Sequence, residues 1–254
     1  MSQRAVFVSD LHLTGPEDPK TQLFAHFLKS LLESDATRPS ALFLVGDIFD
    51  LWVGDHEFFT SRFKTIVTAV SSLIRAGVEV HYFEGNHDLH LTKFWATEIG
   101  AKVHKESGEF RIGSLNVRVE HGDLINPEDH GYLFLRRLLR SAPVRFLSMN
   151  LPEVAVGFIG ERASRASRNY TSTAKSKPSE SIRALIRSHA KKQNAVSPFD
   201  IIVTGHVHVA DDYSFTEGGR QIRSINLGSW YESPPRALVI DDGGIRFETV
   251  ADSH

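Results

Sequence analysis

The chain has 254 residues and no cysteine. Disulfides and thiolate metal sites are therefore excluded. Any metal would have to be held by Asp, His, Asn or Glu, a donor set that favours Mn, Fe, Zn or Mg over soft ions. No apolar run approaches the length of a membrane span. The N-terminus, Met1-Ser2-Gln3-Arg4, shows no apolar secretory stretch before the strand-like Ala5-Val6-Phe7-Val8, so a cytoplasmic location is expected. Internal repeats and low-complexity tracts are absent too. What is present is an ordinary apolar content of 41%, enough for a sizeable core in one large domain or in a core plus an insertion.

The net charge of −2 is small, but its distribution is uneven. Residues 131 to 192 carry 13 Lys/Arg and 3 Asp/Glu, a local charge of +10, which leaves −12 on the remainder. A basic segment is thus mounted on an acidic body.

Hydrophobic periodicity places the elements. Strands are expected at 5–8, 41–45 and 78–83, with helices at 21–34 and 58–76 between them and a short helix at 91–99. This βαβαβ beginning argues for a parallel sheet with right-handed crossovers. Short strands follow at 110–113 and 115–119. In the basic segment, 132–140 has helical spacing, 147–159 is largely apolar with Pro152 in a first helical turn, and 181–192 is a further helix. Strands are expected again at 201–204, 212–215, 221–226, 237–240 and 245–250, with hairpin turns at Gly218-Gly219 and Gly243-Gly244.

Polar residues recur where these strands end. The first strand runs into Asp10 and His12, the second into Asp47, the third into Gly85-Asn86-His87-Asp88; later ones run into His121 and into His206 and His208. Each has a plain explanation alone, as a turn or as a satisfied polar histidine. Five such termini in one chain are much harder to assign to coincidence, because a parallel sheet gathers its carboxyl ends along one edge. If the backbone stays extended past Val8, period two puts Asp10 and His12 on one face. Two Asp, one Asn and four His suffice to hold two divalent ions with one carboxylate between them. Such a pair clamps a phosphoryl group and its attacking oxygen. On softness grounds Mn, Fe, Zn and Co suit these donors about equally well, with Mg also possible; the pair expected is Mn2+.

Asp10-x-His12, Gly46-Asp47-x-x-Asp50, Gly85-Asn86-His87-Asp88, His121 and Gly205-His206-x-His208 resemble, in order, the motif set of the calcineurin-like metallophosphoesterases. The resemblance implies an α/β fold, a four-layer α/β/β/α sandwich. It implies one metal on Asp10, His12, Asp47 and His208 and another on Asp47, Asn86, His121 and His206. It also implies that His87 protonates the leaving oxygen; Asp88 beside it is the expected partner to orient the ring and raise its pKa.

A narrower resemblance is carried by residues 41–54 (ALFLVGDIFDLWVG), Glu120-His121-Gly122-Asp123, Asp129-His130-Gly131-Tyr132 and Leu227-Gly228-Ser229-Trp230. These are similar to the UDP-2,3-diacylglucosamine pyrophosphohydrolases of lipid A synthesis. That family carries a helical cap insertion, which here would span about 128–195 within a single domain of residues 1–254. The reaction implied is hydrolysis of the pyrophosphate of an acylated nucleotide sugar to UMP and diacylglucosamine 1-phosphate. Asp129, Arg168, Ser172 and Lys175 would meet substrate alongside Asn86, His87 and His206. Arg168 and Ser172 depart from that family in residue type, and its best-known members have Arg where this chain has His87. An alkoxide leaving group needs an acid there, whereas a phosphomonoester leaves without one.

The basic segment has three readings: a solvated helical face, a nucleic-acid footprint, or a cap over an amphiphilic substrate at a membrane surface. Its companions are mainly Leu, Val, Ile and Phe, with Tyr132 and Tyr170 its only polar aromatics. That favours acyl chains over stacked bases. Arg136, Arg137 and Arg140 on an apolar helix suit peripheral contact with anionic lipid of the inner membrane. The rival functions are a nucleotide or nucleic-acid phosphodiesterase or phosphatase, and a metal-free binding module. Against the last stands the filling of every ligand position.

Overall fold

The computed structural model describes residues 3–33, 35, 38–156, 162, 179–231 and 234–251. The chain runs β1 (Ala5–Val8), α1 (Pro19–Glu33), β2 (Ala41–Leu44), β3 (Trp52–Val53), α2 (Glu57–Arg62), α3 (Lys64–Arg75), β4 (Glu79–Phe83), β5 (Asp88–Leu89), a π-helix (Thr92–Ile99), β6 (Lys102–His104), β7 (Gly108–Ile112) and β8 (Leu115–Val119). It continues through α4 (His130–Leu139), α5 (Ala142–Met149), α6 (Ser179–Val196), β9 (Ile201–Thr204), β10 (Asp211–Glu217), β11 (Arg220–Asn226), β12 (Arg236–Asp241) and β13 (Gly244–Thr249).

Two mixed sheets form. The first has the order β13-β12-β1-β2-β4-β6 and the second β10-β11-β9-β8-β7. In the first, β1, β2, β4 and β6 are parallel, as the βαβαβ pattern predicts, while β12 joins β1 antiparallel. In the second, β8, β9 and β11 are parallel. A small pair, β3 with β5, was not legible in the sequence.

Alternation along β1 shows how the layers arise. Val6 and Val8 pack with Phe24 and Leu28 of α1 and Val70 and Leu73 of α3. Ala5 and Phe7 point the other way, into a second core with Val117, Val119, Ile201, Val203 and Ile225 of the other sheet. Leu42 and Leu44 of β2 repeat the first choice and Phe43 the second, with Phe7 and Phe43 stacked at 4.4 Å. The far face of the second sheet takes α6 through Ala190 against Ile202, Phe215 and Ile222. The result is helices, sheet, sheet, helix. Strands buried on both faces read as continuous apolar runs, which makes them legible from composition alone.

Two expectations change. The helix expected at 58–76 is two helices, broken at Phe63, whose ring is buried 4.5 Å from that of Phe49. Core anchoring of one side chain outweighs local periodicity there. The last helix of the basic segment, α6, packs on the second sheet and so is part of the sandwich. Pro152 does open a helical turn, its carbonyl accepting from Ala155 and Val156, but α5 before it was not anticipated.

Candidate metal centre

The carboxyl ends of β1, β2 and β4 in one sheet, and of β8 and β9 in the other, deliver the side chains to one place. Past the strands the backbone is not extended. Asp10, His12, Asp47, His206 and His208 all have positive φ, between 49° and 70°. Asp10 and His12 therefore meet through two left-handed residues and not through period-two alternation. Such conformations cost about 1–3 kcal/mol each and persist where surrounding bonds impose them. Here those bonds include Asp10 N–H to the Gly46 carbonyl (3.2 Å), His12 N–H to that of Asp47 (3.1 Å), Gly205 N–H to that of His121 (2.8 Å) and Trp230 N–H to that of Asp10 (3.2 Å). The motif glycines follow from close approach: a Cβ on Gly46 would lie 2.3 Å from His121 Nδ1, one on Gly85 2.1 Å from Asp47 Oδ1, and one on Gly205 2.4 Å from Asp10 Oδ2.

Two donor groups result. In the first, His12 Nε2 and His208 Nε2 are 2.9 Å apart, and Asp10 Oδ1 lies 3.2 Å from His208 Nε2. In the second, Asn86 Oδ1 lies 3.2 Å from His121 Nε2 and 2.9 Å from His206 Nδ1. Asp47 Oδ2 stands between them, 4.0 Å from His12 Nε2 and 3.6 Å from His121 Nε2. Asp47 Oδ1 is committed elsewhere, accepting the N–H groups of Asn86 and His87 at 2.9 Å each. All seven expected ligands converge.

The donor set fits divalent cations. Asp10 Oδ2 accepts from Ser9 Oγ (2.6 Å) and from His206 N–H (2.8 Å), whereas Asp10 Oδ1 is buried without a hydrogen bond and faces two imidazole nitrogens. An orphaned buried carboxylate oxygen is costly unless a cation meets it. His121 Nδ1 donates to the Val45 carbonyl at 2.9 Å, so Nε2 is the atom turned toward Asp47. Burial opposes a charge on His121, but the Asp47 carboxylate prevails and raises the imidazole to about 10. Burial and the neighbouring His121 push His206 down to about 4, and burial pushes His12 down to about 3. Those two rings therefore present lone pairs.

His87 stands beside this centre, its ring 4.7 Å from that of His12. Its orientation is set otherwise than expected. The His87 Nδ1–H donates to the Asp50 carbonyl at 2.7 Å. Asp88 does not orient the ring by hydrogen bonding; its carboxylate takes backbone N–H groups of Asp47, Ile48 and Gly85 and the Tyr82 hydroxyl. Burial works against a charge on His87, yet Asp47 and the Asp50 carbonyl raise its pKa above the ordinary value, with Asp88 contributing only through its charge.

Asp129 caps α4, its Oδ1 accepting from Tyr132 N–H at 3.0 Å. Arg168, Ser172 and Lys175 lie outside the described residues. Sequence reasoning missed Tyr132, whose ring is 5.4 Å from that of His206 and whose hydroxyl lies 3.1 Å from Asp123 Oδ2. It also misplaced two arginines. Arg136 binds Asp123 (2.6 Å) and Glu106 (3.0 Å), and Arg140 binds Glu84 (3.4 Å) and the Lys105 carbonyl (2.9 Å). Arg137, the third arginine expected to meet lipid, is exposed, whereas these two fasten α4 to the acidic body. The signal was their i, i+4 spacing with Tyr132, which puts all three on one helix face. Beside exposed Arg137, Arg145 and Glu153, α4, α5 and the turn after them expose large apolar side chains: Phe134 (69%), Phe146 (72%) and Val154 (88%), with Leu135, Leu138 and Leu147.

Strand-end carboxylates and imidazoles gathered between two sheets define a metal-dependent hydrolase. The family model described as calcineurin-like phosphoesterase matches residues 3–210, and the chain belongs to that family. Similar proteins include three named UDP-2,3-diacylglucosamine hydrolase. That of Enterobacter sp. (strain 638) is 26% identical over 238 residues, covering 94% of this chain and 95% of the relative. That of Stutzerimonas stutzeri (strain A1501) is 28% identical over 243 residues, covering 94% and 95%. That of Stenotrophomonas maltophilia (strain K279a) is 28% identical over 249 residues, covering 97% and 98%. Among solved structures, vacuolar protein sorting 29 from Cryptosporidium parvum aligns with a TM-score of 0.48 at 14% identity, covering 100% of this chain and 94% of that one.

Proposed function

We propose that this chain hydrolyses the pyrophosphate of UDP-2,3-diacylglucosamine, giving UMP and diacylglucosamine 1-phosphate. The observation that carries the reading is Asp47 set between two donor groups on a chain aligned nearly end to end with relatives of that name. Two divalent cations, Mn2+ first, would be held by Asp10, His12, Asp47 and His208 and by Asp47, Asn86, His121 and His206. When bound, they supply charge stabilisation to the transferring phosphoryl group and its attacking oxygen.

The protein's own groups do the rest. Asn86 adds a neutral oxygen donor and limits negative charge facing an anionic substrate. His87, fixed through Nδ1, holds a proton on Nε2 for the departing oxygen. Residues from about 128 to the start of α6 form the cap. The exposed apolar residues of α4 and α5 receive acyl chains, and Asp129, Arg168, Ser172 and Lys175 meet sugar and phosphate. Among the described residues no helix is long and apolar enough to cross a membrane; exposed Phe146, Leu147 and Val154 would meet the cytoplasmic face of the inner membrane peripherally.

One observation favours a second reading. A histidine at position 87, with its raised proton affinity, suits an ester whose leaving group is an alkoxide. The test is turnover with Mn2+ of the lipid nucleotide, of bis(p-nitrophenyl) phosphate and of single-stranded DNA. Hydrolysis of the diester or DNA without the lipid nucleotide would sink the first reading and install the second.

A further inference from the structure

The centre has two lips of different chemistry. One is Tyr132 on α4, beside His206; α4 and α5 also carry the exposed apolar residues. The other lies across the first donor group. There Tyr231 stands with its ring centroid 5.7 Å from that of His12, nearly parallel at 27°, and 6.0 Å from that of His208. Tyr231 is 46% exposed, although the preceding Trp230 is buried against Phe24 and bonded to Asp10 through its backbone N–H. Its place is therefore fixed by the same strand end that carries the donors.

Lys20 braces this lip. Its ammonium lies 3.9 Å from the Tyr231 ring centroid and donates to the Leu11 carbonyl at 2.8 Å. A second contact reaches the His12 carbonyl at 3.4 Å. The nearby carboxylates are Asp18 and Asp50. A half-exposed aromatic ring over a cation, at the rim of a phosphate-binding centre, has little to offer an acyl chain. It has much to offer a planar base carried by a phosphate.

We propose that Tyr231, braced by Lys20, is the platform on which the pyrimidine base of the nucleotide stacks. The assignment rests on the nucleotide-sugar reading above and divides the site: acylated sugar toward α4 and α5, nucleoside toward Tyr231. The two halves depart from one phosphoanhydride, so base and acylated sugar need separate subsites on either side of the donor groups.

The test compares UMP with ribose 5-phosphate, which shares its phosphate and sugar but lacks the base. Both are titrated calorimetrically into Mn2+-saturated wild-type protein, Tyr231→Ala and Tyr231→Phe. Wild type is expected to bind UMP about 10-fold more tightly than ribose 5-phosphate, the scale of one base–aromatic stack. Tyr231→Ala should bring that ratio toward one with ribose 5-phosphate affinity unchanged, and Tyr231→Phe should retain it. A ratio that survives in Tyr231→Ala, or no ratio in wild type, overturns the assignment. The outcome separates from that of the parent reading. A Tyr231-dependent ratio in a protein inactive on the lipid nucleotide keeps the nucleotide subsite and rejects the substrate. Lipid-nucleotide turnover with a Tyr231-independent ratio does the reverse.

Discussion

Asp88 Oδ1 accepts the backbone N–H of Asp47 at 3.0 Å, and through that bond a residue that holds no ligand position fixes the carboxylate between the two donor groups. Gly85 N–H shares the same oxygen at 2.8 Å, while Ile48 N–H (2.9 Å) and Tyr82 OH (2.7 Å) take the other. Four donors converge on one buried group. Burial and the charge of Asp47 push the Asp88 carboxyl up to about 6, and the Tyr82 and backbone bonds resist them. The left-handed backbone of Asp47, φ 53°, is held by this arrangement.

Asp88→Asn should therefore damage metal binding from a distance. The amide turns a donor toward donors, and leaving buried N–H groups unpaired costs about 1–3 kcal/mol each. We expect stability to fall by about 3 kcal/mol in urea unfolding, and Mn2+ affinity by about 10–100-fold, as for partners that orient metal ligands. Parent-like Mn2+ affinity in calorimetry would show that Asp47 keeps its place without Asp88.

Cation binding should release a proton. With Asp47 raising the His121 imidazole to about 10, the cation-free chain carries that proton at neutral pH. A cation needs the lone pair, so the proton must leave. Lowering pH thus favours the protonated, cation-free form and weakens binding, and raising pH toward 10 strengthens it. Calorimetry in Tris and in HEPES at pH 7.5 should report about one proton released per chain, and His121→Ala should abolish the release. Identical apparent enthalpies, once corrected for binding, would contradict the assignment of that proton to His121.

Much of this centre was legible because polar residues interrupt strands that are otherwise continuously apolar. Val8, Leu44 and Val203 are buried, and a donor stands shortly beyond each of them. The glycines at 46 and 85 were readable as turns and that at 205 as a strand end, but their reason, room for Asp47, His121 and Asp10, needed the packed structure. The roles of Asp88 and of Arg136 and Arg140 were not legible. Sequence adjacency suggested that Asp88 serves His87, whereas a tight turn sends neighbouring side chains apart and lets Asp88 reach back to Asp47 and Ile48. The arginines carried a charge pattern that fits lipid and acidic protein surface alike. Only the positions of Asp123, Glu106 and Glu84 decide between them.

Leaving-group chemistry should expose the role of His87. Removing a general acid costs about 10²–10⁴ in rate where the transition state needs its proton. His87→Gln should therefore lose that much on a diester whose leaving group is an alkoxide. It should lose far less on the lipid nucleotide or on bis(p-nitrophenyl) phosphate, whose leaving groups are weak bases. A uniform loss across all three substrates would assign His87 to positioning and not to proton transfer.

Acid sensitivity should reside partly in Glu120, which joins the end of β8 to α6. Its Oε1 bonds His189 Nε2, and its Oε2 accepts from Arg118 Nε at 3.1 Å. Burial favours the neutral acid, but the bond to His189 and its charge, then Arg118, bring the carboxyl below its ordinary value. A carboxyl with a lower pKa folded than unfolded stabilises the fold fully above the unfolded value, near 4.3, and loses that contribution as pH falls through the folded value. Glu120→Gln should lower stability at pH 7 by about 3 kcal/mol, the scale for breaking a buried pair from one side. It should also flatten the fall in stability below about pH 4.5. Urea unfolding of both proteins in EDTA from pH 7 to pH 3.5, where cation release contributes nothing, reads the two effects together. Curves for wild type and variant that stay parallel through the acid limb would place the titrating group elsewhere in the sandwich.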